Sequence, residues 1–361
     1  MVNAPKSIEE NKREQKSKLE IVMNIFGNDI SRDVLYKWFC EFRFFKPTRM
    51  YVLRSSKHCP HRYTEEEFKS VVLDERNTFI SLKRYNGLFK NISATIFSTT
   101  AKLETEMPIE LWQSQKSEFI EKFENLFVEF GACFGFIVNY FDFSYVQNPC
   151  KVEDYSRYGV DETDFEEFEK IKDNVCIDAF GSKRVDSSFL PGHRMKYDNN
   201  MIFTPASYMW TGPDIGKFFD SSKVESFDNC EHNVEFSKGY RRICLWEDVA
   251  EYNNPIYRQR QWDFRKTLNM DQRISELRSK PLIFKNKKDG ADVEIGYYTG
   301  KFSHGGTVLA VYYADTHGNS CLKSIASKCL CQELKNNEVI WQKHFKLPQQ
   351  QLEVDALIKN Q

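Results

Sequence analysis

The chain has 361 residues, which at roughly 150 residues per domain corresponds to two or three units. Its 41% hydrophobic content, with 30 Phe, 17 Tyr and 6 Trp, excludes a disordered composition. Its 51 Lys and Arg against 52 Asp and Glu leave a net charge of -1, so the chain lacks the positive excess of a nonspecific nucleic-acid binder and any charged partner must be met by a local patch.

Residues 1 to 20 contain no apolar core of a signal peptide, and no window approaches about 18 consecutive apolar residues. A cytoplasmic protein without a membrane span is expected. The ten cysteines are scattered, and several, such as Cys133 and Cys244, sit in apolar runs, as reduced buried thiols do. Composition divides the chain into an N-terminal helical segment (1–49), an α+β unit (50–150), an acidic and loop-rich α+β unit (151–280) and a C-terminal α+β extension (281–361).

In chain order, residues 1 to about 30 are rich in Lys and Glu, and Ile21, Val22, Ile25 and Phe26 supply a short stripe that predicts a frayed helix. Asp29 to Phe44 reads as an amphipathic helix with Ser31 as N-cap. Met50 to Ser55 is strand-like. Thr64 and Glu67 form a capping-box pattern ahead of Phe68, Val71 and Val72, which predicts a helix over 64–75. Thr78 to Tyr85 and Ile92 to Thr99 read as paired strands around Asn86-Gly87. After Pro108, Trp112, Phe119, Ile120, Phe123, Leu126, Phe127 and Phe130 recur at helical spacing until Gly131, and Cys133 to Phe141 reads as a strand covered on both faces. This order of strand, helix, strand, strand, helix, strand predicts a ferredoxin-like βαββαβ sheet, packed against a second α+β unit. Such a fold hosts many functions and names none.

Glu153, Asp154, Asp161, Glu162, Asp164, Glu166, Glu167 and Glu169 are countered over 153–169 only by Arg157, and Tyr155, Tyr158, Phe165 and Phe168 are interleaved with them. Residues 175–220 are rich in Gly, Pro, Ser and aromatics and predict ordered loops around short elements, and Tyr240 to Trp246 is strand-like. Tyr257, Gln261, Phe264, Arg265 and Leu268 have helical spacing. Asp292 to Thr299, Thr307 to Tyr313 and Val339 to Phe345 predict strands, with a helix over Leu322 to Leu334.

Chemical constellations are sparse. His58-Cys59-Pro60-His61, Cys230-Glu231-His232, Cys329-Leu330-Cys331 and His317 with Cys321 offer metal-ligand types, but none has the spacing of a chelating zinc pair, so no metal and no cofactor are expected. No nucleophile elbow, phosphate loop or dinucleotide fingerprint is present, and Gly300 to Gly306 reads as a hairpin loop. His193, in Pro191-Gly192-His193-Arg194, is a loop histidine that could serve as a general base. Arg241, Arg242, Arg258, Arg260 and Arg265 are interleaved with Tyr257, Trp262 and Phe264 as in a single-strand binder, but Glu247, Asp248, Glu251 and Asp263 cancel much of that field, so a nucleic-acid partner is not expected. The acidic aromatic stretch combines an anionic field with anchors able to steer and hold a basic partner.

The predicted ferredoxin-like first half, Leu190-Pro191-Gly192-His193, Tyr208-Met209-Trp210-Thr211-Gly212-Pro213 and Gln261-x-x-Phe264-Arg265 together resemble bacterial immunity proteins of polymorphic or type VI toxin systems, over about residues 50–270. The resemblance implies a non-enzymatic cytosolic protein that neutralises a cognate toxin, expected to be basic, by occluding its active surface. The residues expected to bind that partner are Glu162, Asp164, Phe165, Glu166, Glu167 and Phe168, with Tyr208 and Trp210 as anchors. The alternative is a hydrolase-like enzyme with its site in the loops around His193.

Overall fold

The computed structural model describes residues 7–26, 31–54, 57–74, 77–84, 90–96, 100–147, 155, 157–164, 174–177, 183–185, 187–196, 202–272, 282–285, 292–297, 308–314, 316, 326–335 and 338–359. Two units divide the chain: Met1–Asn148 with Asp154–Phe168 and Ser188–Met270, and Pro149–Glu153 with Glu169–Ser187 and Asp271–Gln361. The α+β class is as expected.

The first unit opens with helix α1 (Ile8–Lys16), started by a reciprocal capping box in which the Glu10 amide donates to Ser7 Oγ at 3.1 Å and the Ser7 amide donates to Glu10 Oε2 at 2.8 Å. Strand β1 (Lys18–Phe26) follows, where a frayed helix was expected. Leu19, Ile21, Met23 and Ile25 alternate onto one face and Lys18, Glu20, Val22 and Asn24 onto the other, so a period of two governs a segment whose apolar residues also fit a helical stripe.

After α2 (Arg32–Glu41), capped by Ser31, come β2 (Arg49–Arg54), β3 (Lys57–Arg62), α3 (Glu65–Leu73), β4 (Phe79–Arg84), β5 (Lys90–Ile96), β6 (Thr100–Pro108), α4 (Ile109–Glu129) and β7 (Ala132–Asn139). The helices, β2, β4, β5 and β7 match the expected elements. The four-stranded ferredoxin-like arrangement does not describe their pairing. With β12 (Tyr208–Thr211), β13 (His232–Ser237) and β14 (Tyr240–Cys244), the sheet has ten strands in the order β13-β14-β12-β7-β1-β6-β5-β4-β2-β3, with β1 between β6 and β7. Its neighbouring pairs are antiparallel throughout. Strand β6 alternates Ala101, Leu103, Thr105 and Met107 with Lys102, Glu104 and Glu106, and the charged set conceals the strand from a search for apolar runs.

Further along the unit, β10 (Met195–Lys196) pairs with β11 (Ile202–Phe203), and β12 (Tyr208–Thr211), β13 (His232–Ser237) and β14 (Tyr240–Cys244) complete the large sheet before helix α5 (Pro255–Thr267). Strands from three of the four regions distinguished by composition therefore share one sheet.

One face of the sheet carries a core that includes Trp38, Phe39, Phe42, Phe68, Trp112, Phe123, Phe127 and Trp210 from α2, α3, α4 and β12. A Cβ on Gly135 would lie 2.8 Å from the Phe123 ring, so a glycine there lets α4 seat directly on β7. On the opposite face Phe134 packs against Phe203 and Phe218 at ring separations of 5.0 and 4.9 Å, and Phe264 of α5 packs against Phe227 at 5.0 Å.

In the second unit β8 (Val175–Ile177) pairs with β9 (Lys183–Val185), and β15 (Leu282–Lys285), β16 (Asp292–Tyr297), β17 (Val308–Ala314), β18 (Lys328–Lys335) and β19 (Glu338–Lys346) form an antiparallel sheet in chain order. Strand β18 covers residues 328–334 of the helix expected over 322–334, whose residues 322–325 lie outside the described ones: Cys329 and Cys331 point inward toward Val311, Tyr313, Phe345 and Val354 of helix α6 (Gln351–Lys359).

Candidate functional site

The described part of the acidic stretch is a turn bound to α1. Lys12 Nζ lies 2.6 Å from Asp161 Oδ2 and 2.9 Å from Asp164 Oδ2, and Lys16 Nζ lies 2.5 Å from Asp164 Oδ1. Burial acts to raise the Asp161 pKa, but its bonds to Lys12 and Thr163 outweigh it and hold the carboxyl at about 2. Asp164 is fully buried, so it is an internal anchor and not the surface contact that was expected, because two ammonium groups draw it inward. Glu162 is exposed. Phe165, Glu166, Glu167 and Phe168 lie outside the described residues.

Tyr208 and Trp210 have no exposed surface and are core residues in place of the anchors expected of them. Strand β12 lies between β7 and β14 and buries both rings beneath α4: Tyr208 meets Trp112 at 5.5 Å, and Trp210 meets Phe123 at 4.5 Å. Their polar atoms are satisfied, with Trp210 Nε1 donating to Glu124 Oε1 at 3.2 Å and Tyr208 Oη donating to Glu247 Oε2 at 2.7 Å.

The sequence motifs around His193 and on α5 meet in one hydrogen-bonded network. Buried Arg258 holds buried Asp142 and also donates to Gln261 Oε1 at 3.1 Å. Gln147 Oε1 accepts from the Gly192 amide at 3.1 Å, Gln261 Nε2 donates to the Pro205 carbonyl at 2.7 Å, and Arg265 donates to the Leu190 and Ser188 carbonyls at 2.7 and 2.6 Å. These groups fix the loop that carries His193, itself half-buried. The arginines interleaved with aromatics in the sequence do not share a face: Arg241 and Arg242 are consecutive on a strand, Arg242 pairs with Glu124 at 2.6 Å, Arg260 with Glu231 at 2.5 Å, and Arg258 and Arg265 point inward.

Two clusters of titratable groups flank this scaffold. On the sheet face opposite α4, Glu20 of β1 stands directly across from Glu106 of β6, with Lys18, Lys102 and Glu104 beside them. Burial, then the neighbouring Glu104, pushes the Glu20 carboxyl up to about 8, against the pull of Arg194. Burial raises Glu106 to about 7, against Lys18 at 3.5 Å. Sequence reasoning missed this pair because 52 acidic residues offer no way to choose two; the signal is the alternation of β6 set against the register of β1.

The second cluster lies at one edge of the sheet, away from the central strands β1 and β6. Tyr208, Cys244 and His232 are directly opposite one another on β12, β14 and β13, hence on one face. His232 Nε2 is 3.3 Å from Glu247 Oε1, and Lys116 of α4 pairs with Glu247 Oε2. Burial pushes the Cys244 thiol up to about 12, and burial together with Arg242 and Lys116 lowers the His232 pKa. The expected neighbour of His232, Cys230, instead directs its thiol to the Phe227 carbonyl at 3.7 Å.

No protein-family profile matches the chain, and no curated protein matches it. Among solved structures it is similar to the Pseudomonas aeruginosa type VI secretion (T6SS) protein PA0821, with a TM-score of 0.40 and 11% identity over 69% of this chain and 72% of that one. No helix among the described residues is long and apolar enough to cross a membrane.

Proposed function

We propose that this chain is an immunity-like interaction protein that binds a basic protein toxin and occludes its active surface. The observation that supports this reading is the acidic turn 161–164: Asp164 is pinned inside by Lys12 and Lys16, while Glu162, two residues before it, is exposed. A preorganised carboxylate of this kind accelerates encounter with a cationic surface and loses no loop entropy on binding. The loop around His193 is committed to carbonyl and amide contacts that hold the scaffold together.

The test is association with the product of the adjacent reading frame, followed by surface plasmon resonance at rising ionic strength. The association rate is expected to fall steeply with salt, and Glu162→Lys to slow it about tenfold without changing the unfolding transition. An association rate indifferent to both salt and Glu162→Lys overturns the assignment.

A second reading, a hydrolase-like enzyme, is favoured by the Glu20–Glu106 pair, in which one carboxyl titrates at about 8 and its neighbour at about 7. Arg194, next to His193, contributes to the field at Glu20. That reading requires turnover that is lost in both Glu20→Gln and Glu106→Gln with the fold intact.

A further inference from the structure

We propose that His232, Cys244 and Glu247 form a three-ligand site for a divalent cation of the zinc class at the edge of the large sheet. One nitrogen, one sulfur and one oxygen donor, all within 4.8 Å of one another, come from two paired strands and the turn that follows them. Imidazole, thiolate and carboxylate together are the donor set that a borderline ion such as zinc takes, and three protein ligands leave a fourth position for water.

The placement is set by register. His232 lies directly across from Cys244, which fixes two donors on rigid backbone, and Glu247 is three residues beyond Cys244. The thiol forms a fully buried floor, whereas the side chains of His232 and Glu247 are 35% and 49% exposed and form an open rim through which an ion can enter.

The surrounding groups orient the donors. Tyr208 Oη and Lys116 both engage Glu247 Oε2, leaving Oε1 as the oxygen turned toward His232 Nε2. Outer partners of this kind set the direction of first ligands in metal sites. The nearby cations are compensated, Arg242 by Glu124 and Lys116 by Glu247 itself. Ion entry replaces the His232–Glu247 contact and releases the Cys244 thiol proton to solvent, so that a thiolate–metal bond forms as an S–H bond breaks.

The experiment is a titration of the full, tag-free chain with zinc(II) by calorimetry and with cobalt(II) by absorption, where a near-ultraviolet sulfur-to-cobalt charge-transfer band reports thiolate ligation. One equivalent is expected to bind with that band present. His232→Ala and Glu247→Gln, on the exposed rim, are each expected to weaken zinc at least tenfold with an unchanged far-ultraviolet circular dichroism spectrum, and Cys244→Ala to remove the band. Control variants Cys230→Ser and Cys59→Ser with His61→Ala are expected to bind as the parent does. No binding, no thiolate band, rim variants that bind normally, or loss of binding in the controls would each overturn the site. None of these outcomes bears on the toxin-binding reading, which is read by association kinetics.

Discussion

Arg258 closes a bidentate ion pair on Asp142 inside the first unit, with Nη2 2.6 Å from Oδ1 and Nη1 3.0 Å from Oδ2. Gln147 Nε2 donates to the same carboxylate at 3.2 Å, so the pair ties α5 to the segment after β7 and, through Gln147, to Gly192. Arg258→Met leaves a buried carboxylate without its cation and is expected to lower stability by about 3–5 kcal/mol, measured by urea denaturation. Combining it with Asp142→Leu is expected to restore part of that loss, because no charge is then stranded.

Gly212 and Gly216 lie four residues apart and should respond oppositely to alanine. A Cβ at Gly212 would come within 2.1 Å of the Ala132 carbonyl oxygen, a backbone atom of β7, whereas one at Gly216 meets nothing within 4 Å. Gly212→Ala should cost about 2 kcal/mol or more through a forced strand shift, and Gly216→Ala should be neutral or stabilising by up to about 1 kcal/mol. Thermal melts of the two variants distinguish steric need from chain entropy.

The Glu20–Glu106 pair gives the protein a pH dependence of definite sign. An unfolded glutamate titrates at about 4.3. In the folded chain Glu20 titrates at about 8 and Glu106 at about 7. Across that interval the folded chain retains protons the unfolded chain has released, so these two groups lower stability as pH rises from about 4 to about 8. Glu20→Gln is expected to flatten this slope and to be more stable than the parent at the alkaline end by on the order of a few kcal/mol. A denaturation midpoint followed against pH checks it, with an unaltered slope in the variant counting against the buried pair.

Thiol chemistry should follow burial. Cys133 and Cys244 are buried and their thiols are pushed up, Cys244 to about 12, whereas Cys40 is exposed. Brief iodoacetamide treatment of the native, metal-free chain followed by peptide mass analysis should find Cys40 alkylated and Cys133 and Cys244 modified only after denaturation.

Elements whose own sequence decides them were legible. Helix α4 matches the heptad-like spacing of Trp112, Phe119, Phe123 and Phe127, and Thr64 caps α3, accepting from the Glu67 amide at 3.3 Å. The other half of that capping box was lost to tertiary structure, since the Glu67 carboxylate instead meets His61 Nδ1 at 3.1 Å. Apart from the local pairing of β4 with β5, which the Asn86-Gly87 turn signal indicates, pairing was not legible. Nothing in residues 18–26 announces partners more than seventy positions away, and the same ignorance of register hid both His232 opposite Cys244 and Glu20 opposite Glu106. The acidic stretch was visible as composition, but which carboxylate faces inward depended on Lys12 and Lys16 of α1.

The position of β1 bears on how the protein is made. Its partners β6 and β7 begin at Thr100 and Ala132, so on the ribosome an apolar segment, Leu19 to Phe26, emerges well before either neighbour exists. At about 5–20 residues per second that wait lasts on the order of ten seconds. During it the nascent chain exposes an aggregation-prone ribbon, and yield in the cell should respond to chaperone supply more than to the final stability of the finished sheet.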